Sequence, residues 1–491
     1  MTIGDKMQER PHLLWGVVGR HVAEGRGGAI AIRSARGALT YAEVAGAIAH
    51  GGREIARRVP SGGRVLVASR DQLHVALGFL ATLVSGRMAL LADPTSAARL
   101  RDLAGRFGAL PFVDDAFEGE RGSLGALSRV EAWLGAREKL DLAPVAEREP
   151  AFWVFTSGTT GEPRPVVHVH GAPLAAYAGF ARDVLGLCAD DVTISTAGLP
   201  FVYALGNNLL FPLLAGASCI LPEDLLLPTV LGAAIRHRAT VLVAGPWSLE
   251  ALARLAVRGE RYEALRRLRL VLSAGEPLPV SLYREWEQRF GTPPIDNLGC
   301  TEMFNSFLSN RREDAVPGSL GRVVPGYEVE VGEAAPRPGA TGPLRIRGAS
   351  RACAVGDAEL SAPRSASEWH ETGDEVAVDA EGRFTFLGRR DHRFKSRGRF
   401  VHPVEIERHL LEVDGVRECL VAPEIDDRGL TVVAARVVPV DAASEPGLER
   451  RLLRHARSRL DPFQVPVRVT IVPSLPRNER GKLDRGSRSG I

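Results

Sequence analysis

The feature that most limits the possible folds is a recurring alternation of short β-branched runs with helical stretches. Arg64–Ser69 (RVLVAS) predicts a strand, Leu73–Val84 a helix and Met88–Ala92 the next strand. The pattern returns with a strand at Asp191–Thr196, a helix over Leu226–Arg238, a strand at Thr240–Ala244 and, after another helix, a strand at Leu270–Ser273. Alternation of this kind implies parallel sheets covered by helices. Ligands of such sheets sit beyond the carboxyl ends of the strands, and the loops that follow these strands are rich in glycine.

From about Val323 the texture changes to hairpin-like pieces, Gly326–Val331 and Leu344–Arg347, around a loop, Glu333–Gly342, rich in Ala, Pro and Gly. A final segment begins near Asp391: a hairpin, a helix from Val404, strands around Cys419 and Val432, a helix from Leu448 and a terminal lysine loop. A domain boundary is expected at Gly388–Asp391, and the length suits about three domains or subdomains.

Composition removes several classes of function. The net charge is only +3 and the basic residues are spread along the chain, so a nucleic-acid surface is not expected. Cys188, Cys219, Cys300, Cys353 and Cys419 are scattered without a CxxC, which argues against a disulfide framework or a cysteine zinc site. The stretch from Val75 past Arg87 is too short for a membrane span. The N-terminal MTIGDKMQERPH has no apolar core of a secretory signal, so the cytoplasm is the expected address.

Lysine is scarce: of 62 lysines and arginines, only Lys6, Lys139, Lys395 and Lys482 are lysines. Lys395 lies in GRRDHRFKSRGRF and Lys482 in PRNERGKLDR. An ammonium is a compact charge that enters a crowded site closed to a planar guanidinium, although two surviving surface lysines would look the same.

Four loops carry candidate chemistry. Phe155-Thr-Ser-Gly-Thr-Thr-Gly-Glu-Pro-Arg-Pro165 follows a strand-like Phe152–Val154, and its hydroxyls and glycines suit phosphate oxygens as well as an ordinary turn. Ser273-Ala-Gly-Glu-Pro277 could lay a flat base against backbone. Asn297-Leu-Gly-Cys-Thr-Glu302 ends in a hydroxyl and a carboxylate, suited to a phosphate and a hard cation, or simply to solvent. Thr372-Gly-Asp374 presents one carboxylate that could accept from two ribose hydroxyls or sit in a plain turn.

In this order and spacing the motifs resemble those of the acyl-adenylate-forming superfamily of acyl-CoA synthetases, nonribosomal adenylation domains and luciferases, from Leu39-Thr-Tyr41 to Arg485. Pro200–Gly206 with Asn207, Cys300–Asn310 (CTEMFNSFLSN) and Val324-Pro-Gly-Tyr327 look most like its benzoate-CoA ligase branch. The resemblance implies an α/β protein: an N-terminal core, 1–390, of helix-covered parallel sheets with a β-barrel-like subdomain, then a small mobile α+β lid, 391–491. It implies that Thr156, Ser157, Gly158, Thr159, Thr160 and Gly161 handle the β- and γ-phosphates of ATP, and that Gly275, Glu276 and Pro277 flank adenine. Asn297, Leu298, Gly299 and Cys300 line the nucleotide, Thr301 contacts the α-phosphate and Glu302 holds Mg²⁺. Asp374 with Arg389 grips ribose, Lys482 is the adenylation lysine, Asp391 the hinge, and Lys395, Arg397 and Gly398 face the incoming thiol.

By the same resemblance Phe201, Val202, Tyr203, Ala204, Gly206, Ala244, Ala274, Gly299, Phe304, Asn305 and Ser306 line the acyl pocket. Aromatic and small residues together suggest a flat, short cavity for an aryl acid. Asn305 adds donor and acceptor capacity, so a ring hydroxyl or amino group is expected to be read there; the alternative is that Asn305 only satisfies backbone groups. Where the family's phosphate loop usually continues Gly-Lys-Pro-Lys-Gly, this chain has Gly161-Glu-Pro-Arg-Pro165, which exchanges one cation for an anion and removes an N–H. The expected function is ATP-dependent activation of an aryl acid to acyl-AMP and transfer to CoA, with a carrier-protein phosphopantetheine as alternative acceptor. A non-catalytic adenylate-binding protein, or one serving another nucleophile, is the reading from a different class. Neither a nucleic-acid nor a membrane partner is expected, and a homodimer is left open.

Overall fold

The computed structural model describes residues 12–94, 97–113, 130–157, 163–357, 364–396, 399–426, 430–441, 447–477 and 483–485. Among them, a nine-stranded sheet has a parallel centre of Ile30–Ser34, Ser218–Leu221, Val192–Ser195, Val241–Ala244, Leu270–Ser273 and Pro294–Gly299. Antiparallel strands close its two edges, Gly37–Thr40 at one and Ser306–Ser309 with Arg322–Val323 at the other. Ser218–Leu221, Val241–Ala244 and Leu270–Ser273 are buried at every position, as their largely apolar sequences require.

A six-stranded sheet runs Ala109–Val113, Arg64–Ala68, Met88–Leu91, Pro150–Ser157, Pro163–Val169 and Ala354–Val355. It is parallel as far as Pro150–Ser157, which then pairs antiparallel with Pro163–Val169. The Gln72–Val84 helix buries every residue except His74 and Val84, as an element apolar on all sides must. Its start is fixed by Asp71, whose carboxylate accepts from the Leu73 N–H at 2.9 Å.

The expected barrel-like piece takes the form of an open four-stranded antiparallel sheet among the described residues: Tyr327–Val331, Thr341–Gly348, His370–Val378 and Phe384–Arg389. The last segment has its own sheet, Val416–Ile425, Thr431–Pro439 and Arg468–Ile471, covered by the helices Pro403–Leu410 and Leu448–Arg459. Ile406, Leu410, Val421, Leu452 and Ala456 form a core there separate from that of the large sheets. Arg468–Ile471 was not foreseen, because only Val469 of its four residues is buried. Among the described residues no helix is long and apolar enough to cross a membrane.

Candidate active site

Three parallel strands of the large sheet end side by side: Ala244 pairs with Ser273, and Ser273 with Asp296. The Ala274–Pro277 loop begins there, and Gly275 takes φ +93°, a conformation that favours glycine. Ala244 and Ala274 lie at this strand-end surface and Gly299 three residues past Asp296, at the end of its own strand, while Phe201 precedes and Val202 and Tyr203 begin a short helix, Val202–Leu205.

A polar chain runs through this surface. The Asn297 Nδ2 donates to the carbonyls of Ser273 at 2.9 Å and Ile295 at 3.1 Å, which fixes which end of the amide is nitrogen. It also reaches the Tyr203 hydroxyl at 3.2 Å, while its Oδ1 accepts from the Ser306 hydroxyl at 2.6 Å. The Asn305 Oδ1 accepts from the Ser306 N–H at 2.9 Å and the Asn207 amide at 3.2 Å, and its Nδ2 donates to the Val202 carbonyl at 3.3 Å. Asn305 is only 2% exposed, so its capacity serves the protein, while the half-buried Tyr203 hydroxyl enters this network as an acceptor from Asn297.

Phe304 departs from its expected position as a wall. Its ring is fully buried, edge-on to Phe152, His168 and Phe211, and lies in the core beneath the site. Its backbone holds φ +65°, unusual for a bulky residue and costing roughly 1–3 kcal/mol. The turn delivers Asn305 against Gly206: a Cβ on Gly206 would lie 2.4 Å from the Asn305 Nδ2 and 3.0 Å from the Phe211 ring. Gly206→Ala is therefore expected to raise KM for the acid about tenfold or more, as overpacking costs about 1–3 kcal/mol. Steady-state kinetics at saturating ATP would measure this, with KM for ATP unchanged.

On the phosphate side, Thr156 lies on the Pro150–Ser157 strand, opposite Arg164. Gly158, Thr159, Thr160, Gly161 and Glu162 lie outside the described residues, as do Arg397, Gly398 and Lys482. Thr301 and Glu302 occupy a single 3₁₀ turn directly after the Pro294–Gly299 strand. The Glu302 carboxylate, the Cys300 thiol and a His370 nitrogen lie within 4.8 Å of one another, and the nearby Glu302 joins burial in pushing the thiol up. Of these only Glu302 offers the hard oxygen that Mg²⁺ prefers, which fits an ion bound by one carboxylate with phosphates completing its shell.

Asp374 and Arg389 face each other across adjacent strands, Oδ1 to Nη1 at 3.3 Å, and Arg389 also reaches Asp391 at 3.3 Å. Burial raises the Asp374 carboxyl to about 6, with Arg389 opposing it. Glu276 accepts from the Leu483 N–H at 3.0 Å, so the residue that follows Lys482 in sequence docks on the strand-end surface. The exposed Lys395 stands over the Phe400 ring at 5.1 Å, on the Phe394–Ser396 strand of a hairpin.

Two residues of this region were missed by sequence reasoning. Asp296 is 6% exposed within the Pro294–Gly299 strand, and burial raises its carboxyl to about 8 although the N–H groups of Asn297 and Leu278 oppose the shift. A lone carboxylate in the run Pro294-Ile-Asp-Asn was its one signal. His168 is fully buried between Phe152 and Phe304 and is pushed down to about 3, which keeps the imidazole neutral.

Residues 19–352 match the family model described as AMP-binding enzyme, and residues 405–482 match its AMP-binding enzyme C-terminal domain. The chain is 31% identical to a benzoate–CoA ligase of Thauera aromatica, over 98% of this chain and 96% of that one. It is 33% identical to a 4-hydroxybenzoate–CoA/benzoate–CoA ligase of Rhodopseudomonas palustris, over 95% and 92%. Among solved structures it is similar to the anthranilate CoA ligase AuaEII in complex with anthranoyl-AMP, with a TM-score of 0.86, 26% identity and coverage of 96% and 95%.

Proposed function

The chain belongs to the AMP-binding enzyme family, and from that membership we infer that it activates an aryl carboxylic acid with ATP and passes the acyl group to CoA. It is an AMP-forming acid–thiol ligase. The observation that supports the reading is the Thr301–Glu302 turn directly after the Pro294–Gly299 strand, with Asp374, paired to Arg389, close enough to act electrostatically with Cys300 and Glu302.

A carboxylate is a poor electrophile because its charge is delocalised and its oxygen leaves badly. Attack by that oxygen on the α-phosphorus expels pyrophosphate and leaves AMP as the leaving group for the thiol. The barrier is the approach of an anion to a polyanion, so positive charge must stand where the two converge. In this scheme Lys482 supplies that charge, Thr301 positions the α-phosphate, and Asp374 with Arg389 holds the ribose. Glu302 would hold Mg²⁺, whose charge offsets that of the phosphates. The lid is residues 391–491, turning about Gly388–Asp391 to exchange Lys482 for the Lys395 hairpin; Gly388 at φ +144° supports a pivot there.

The substrate is a hydroxy- or amino-substituted benzoate. Its substituent faces the Tyr203 O–H, because Asn297 donates to the phenol oxygen and leaves the phenol proton to be given. The test is aryl-acid-dependent exchange of pyrophosphate into ATP across a panel of benzoates, repeated with CoA and analysed for thioester. Exchange is expected with hydroxy- or aminobenzoate ahead of benzoate, and thioester only with CoA. Benzoate outperforming every substituted acid removes the substituent reading, and no exchange with any aryl acid removes the activity.

A further inference from the structure

Outside the loops assigned to the chemistry, three metal-type ligands converge between the two helices of the C-terminal segment. His409 lies on Pro403–Leu410, Glu412 just past its end, and His455 on Leu448–Arg459. The helices are clamped by Ile406, Leu410, Leu452 and Ala456, so the positions of the two imidazoles follow from the core. The His409 Nδ1 stands 3.5 Å from one Glu412 oxygen, and the His455 Nε2 stands 3.3 Å from the other.

These separations have a specific meaning. Two donors about 2.0–2.1 Å from a tetrahedral Zn²⁺ stand about 3.3–3.4 Å apart. Neither nitrogen makes a hydrogen bond, although each buried atom stands within ion-pair distance of the Glu412 carboxylate. They are near the oxygens without being directed at them, as ligands of a common centre are. All three donor atoms lie within 4.8 Å of one another.

We propose that His409, Glu412 and His455 form a binding site for a divalent transition metal of the Zn²⁺ class, with a fourth position left to water. Two neutral imidazoles and one carboxylate suit Zn²⁺ and Co²⁺ and are a poor set for Mg²⁺. A bound ion would tie the end of one helix to the other and stabilise the segment by mass action.

Untagged protein, stripped with a chelator, is titrated with Co²⁺ and read by its visible d–d bands. One equivalent per chain is expected, with bands of tetrahedral intensity, no thiolate charge-transfer band, and displacement by Zn²⁺. His409→Gln and His455→Gln should each weaken binding about tenfold or more, His370→Gln should not, and aryl-AMP formation by His455→Gln should match the parent. Far-ultraviolet circular dichroism of the variants checks that each folds, and Glu412→Gln repeats the test without touching an imidazole. No binding by the parent, or undiminished binding by the His409, Glu412 and His455 variants, overturns the proposal. A thiolate charge-transfer band would place the ion at Cys300, Glu302 and His370 instead and overturn it equally.

Discussion

Lys482→Ala is expected to lower aryl-AMP formation about a thousandfold while leaving ATP binding in place. At about 4 Å, one ammonium beside the reacting oxygens is worth on the order of 4 kcal/mol at an effective dielectric near 20, or roughly three decades of rate. On the proposed assignment ATP affinity would rest on the Thr156–Gly161 loop, Thr301, Asp374 and Arg389, so little change in it is expected. Lys482→Arg is expected to fail nearly as badly, because a planar fork cannot take the place of a compact charge between two anions. The described residues on either side of 478–482 are held in place: Arg477 bridges Leu483, the Asp484 N–H donates to the Pro476 carbonyl at 2.9 Å, and Arg485 grips Glu407 with two contacts of 2.7 Å. Pyrophosphate exchange and an equilibrium ATP titration on the same variant separate the two effects. Exchange at the parental rate would remove Lys482 from the mechanism.

The loop before it invites the opposite comparison. Glu162 and Pro165 depart from the family's Gly-Lys-Pro-Lys-Gly pattern, yet Pro165 takes an ordinary place in the Pro163–Val169 strand, opposite Phe155. The Pro165 carbonyl accepts from the Gly356 N–H at 2.7 Å.

The parts of the fold that could be read from the chain are those where one local signal decides. Leu270–Ser273 is apolar because it is buried on both faces, and the helix at Leu448 starts after Gly447 at φ +97°. Sheet order could not be read, since interior strands of this kind are interchangeable in pattern. Nothing in Phe152–Val154 indicates that Pro150–Ser157 turns back as an antiparallel pair inside a parallel sheet. At the site, backbone motifs were legible and side-chain direction was not. The engagement of Asn305 follows from the positive φ of Phe304, the missing Cβ of Gly206 and a partner, Asn207, 98 residues away. The Asn297–Tyr203 contact spans 94 residues and leaves no trace in periodicity.

Asp296→Asn is expected to stabilise the protein, and by more as pH rises from 4 toward 8. The sign follows from the two states. The folded carboxyl is raised to about 8 by burial, whereas unfolding returns it to 3.8. Between these values the native state holds a proton that the unfolded state has lost, so stability falls with pH across this window and levels off above it. At pH 7 the cost is roughly 4 kcal/mol, before relaxation of the site reduces it. Asparagine stays neutral throughout and still offers an oxygen to the N–H groups of Asn297 and Leu278, so it escapes the penalty. Thermal midpoints of parent and variant at pH 5 and pH 8 provide the measurement: the gap between the two proteins should widen at the higher pH, and an equal gap at both would show that Asp296 is ionised in the fold. A chain that retains so costly a carboxyl beside Ser273 and the Ala274–Pro277 loop is expected to use it on the nucleotide. The stabilised variant should therefore bind ATP more weakly, which sets stability and function against each other at a single atom pair.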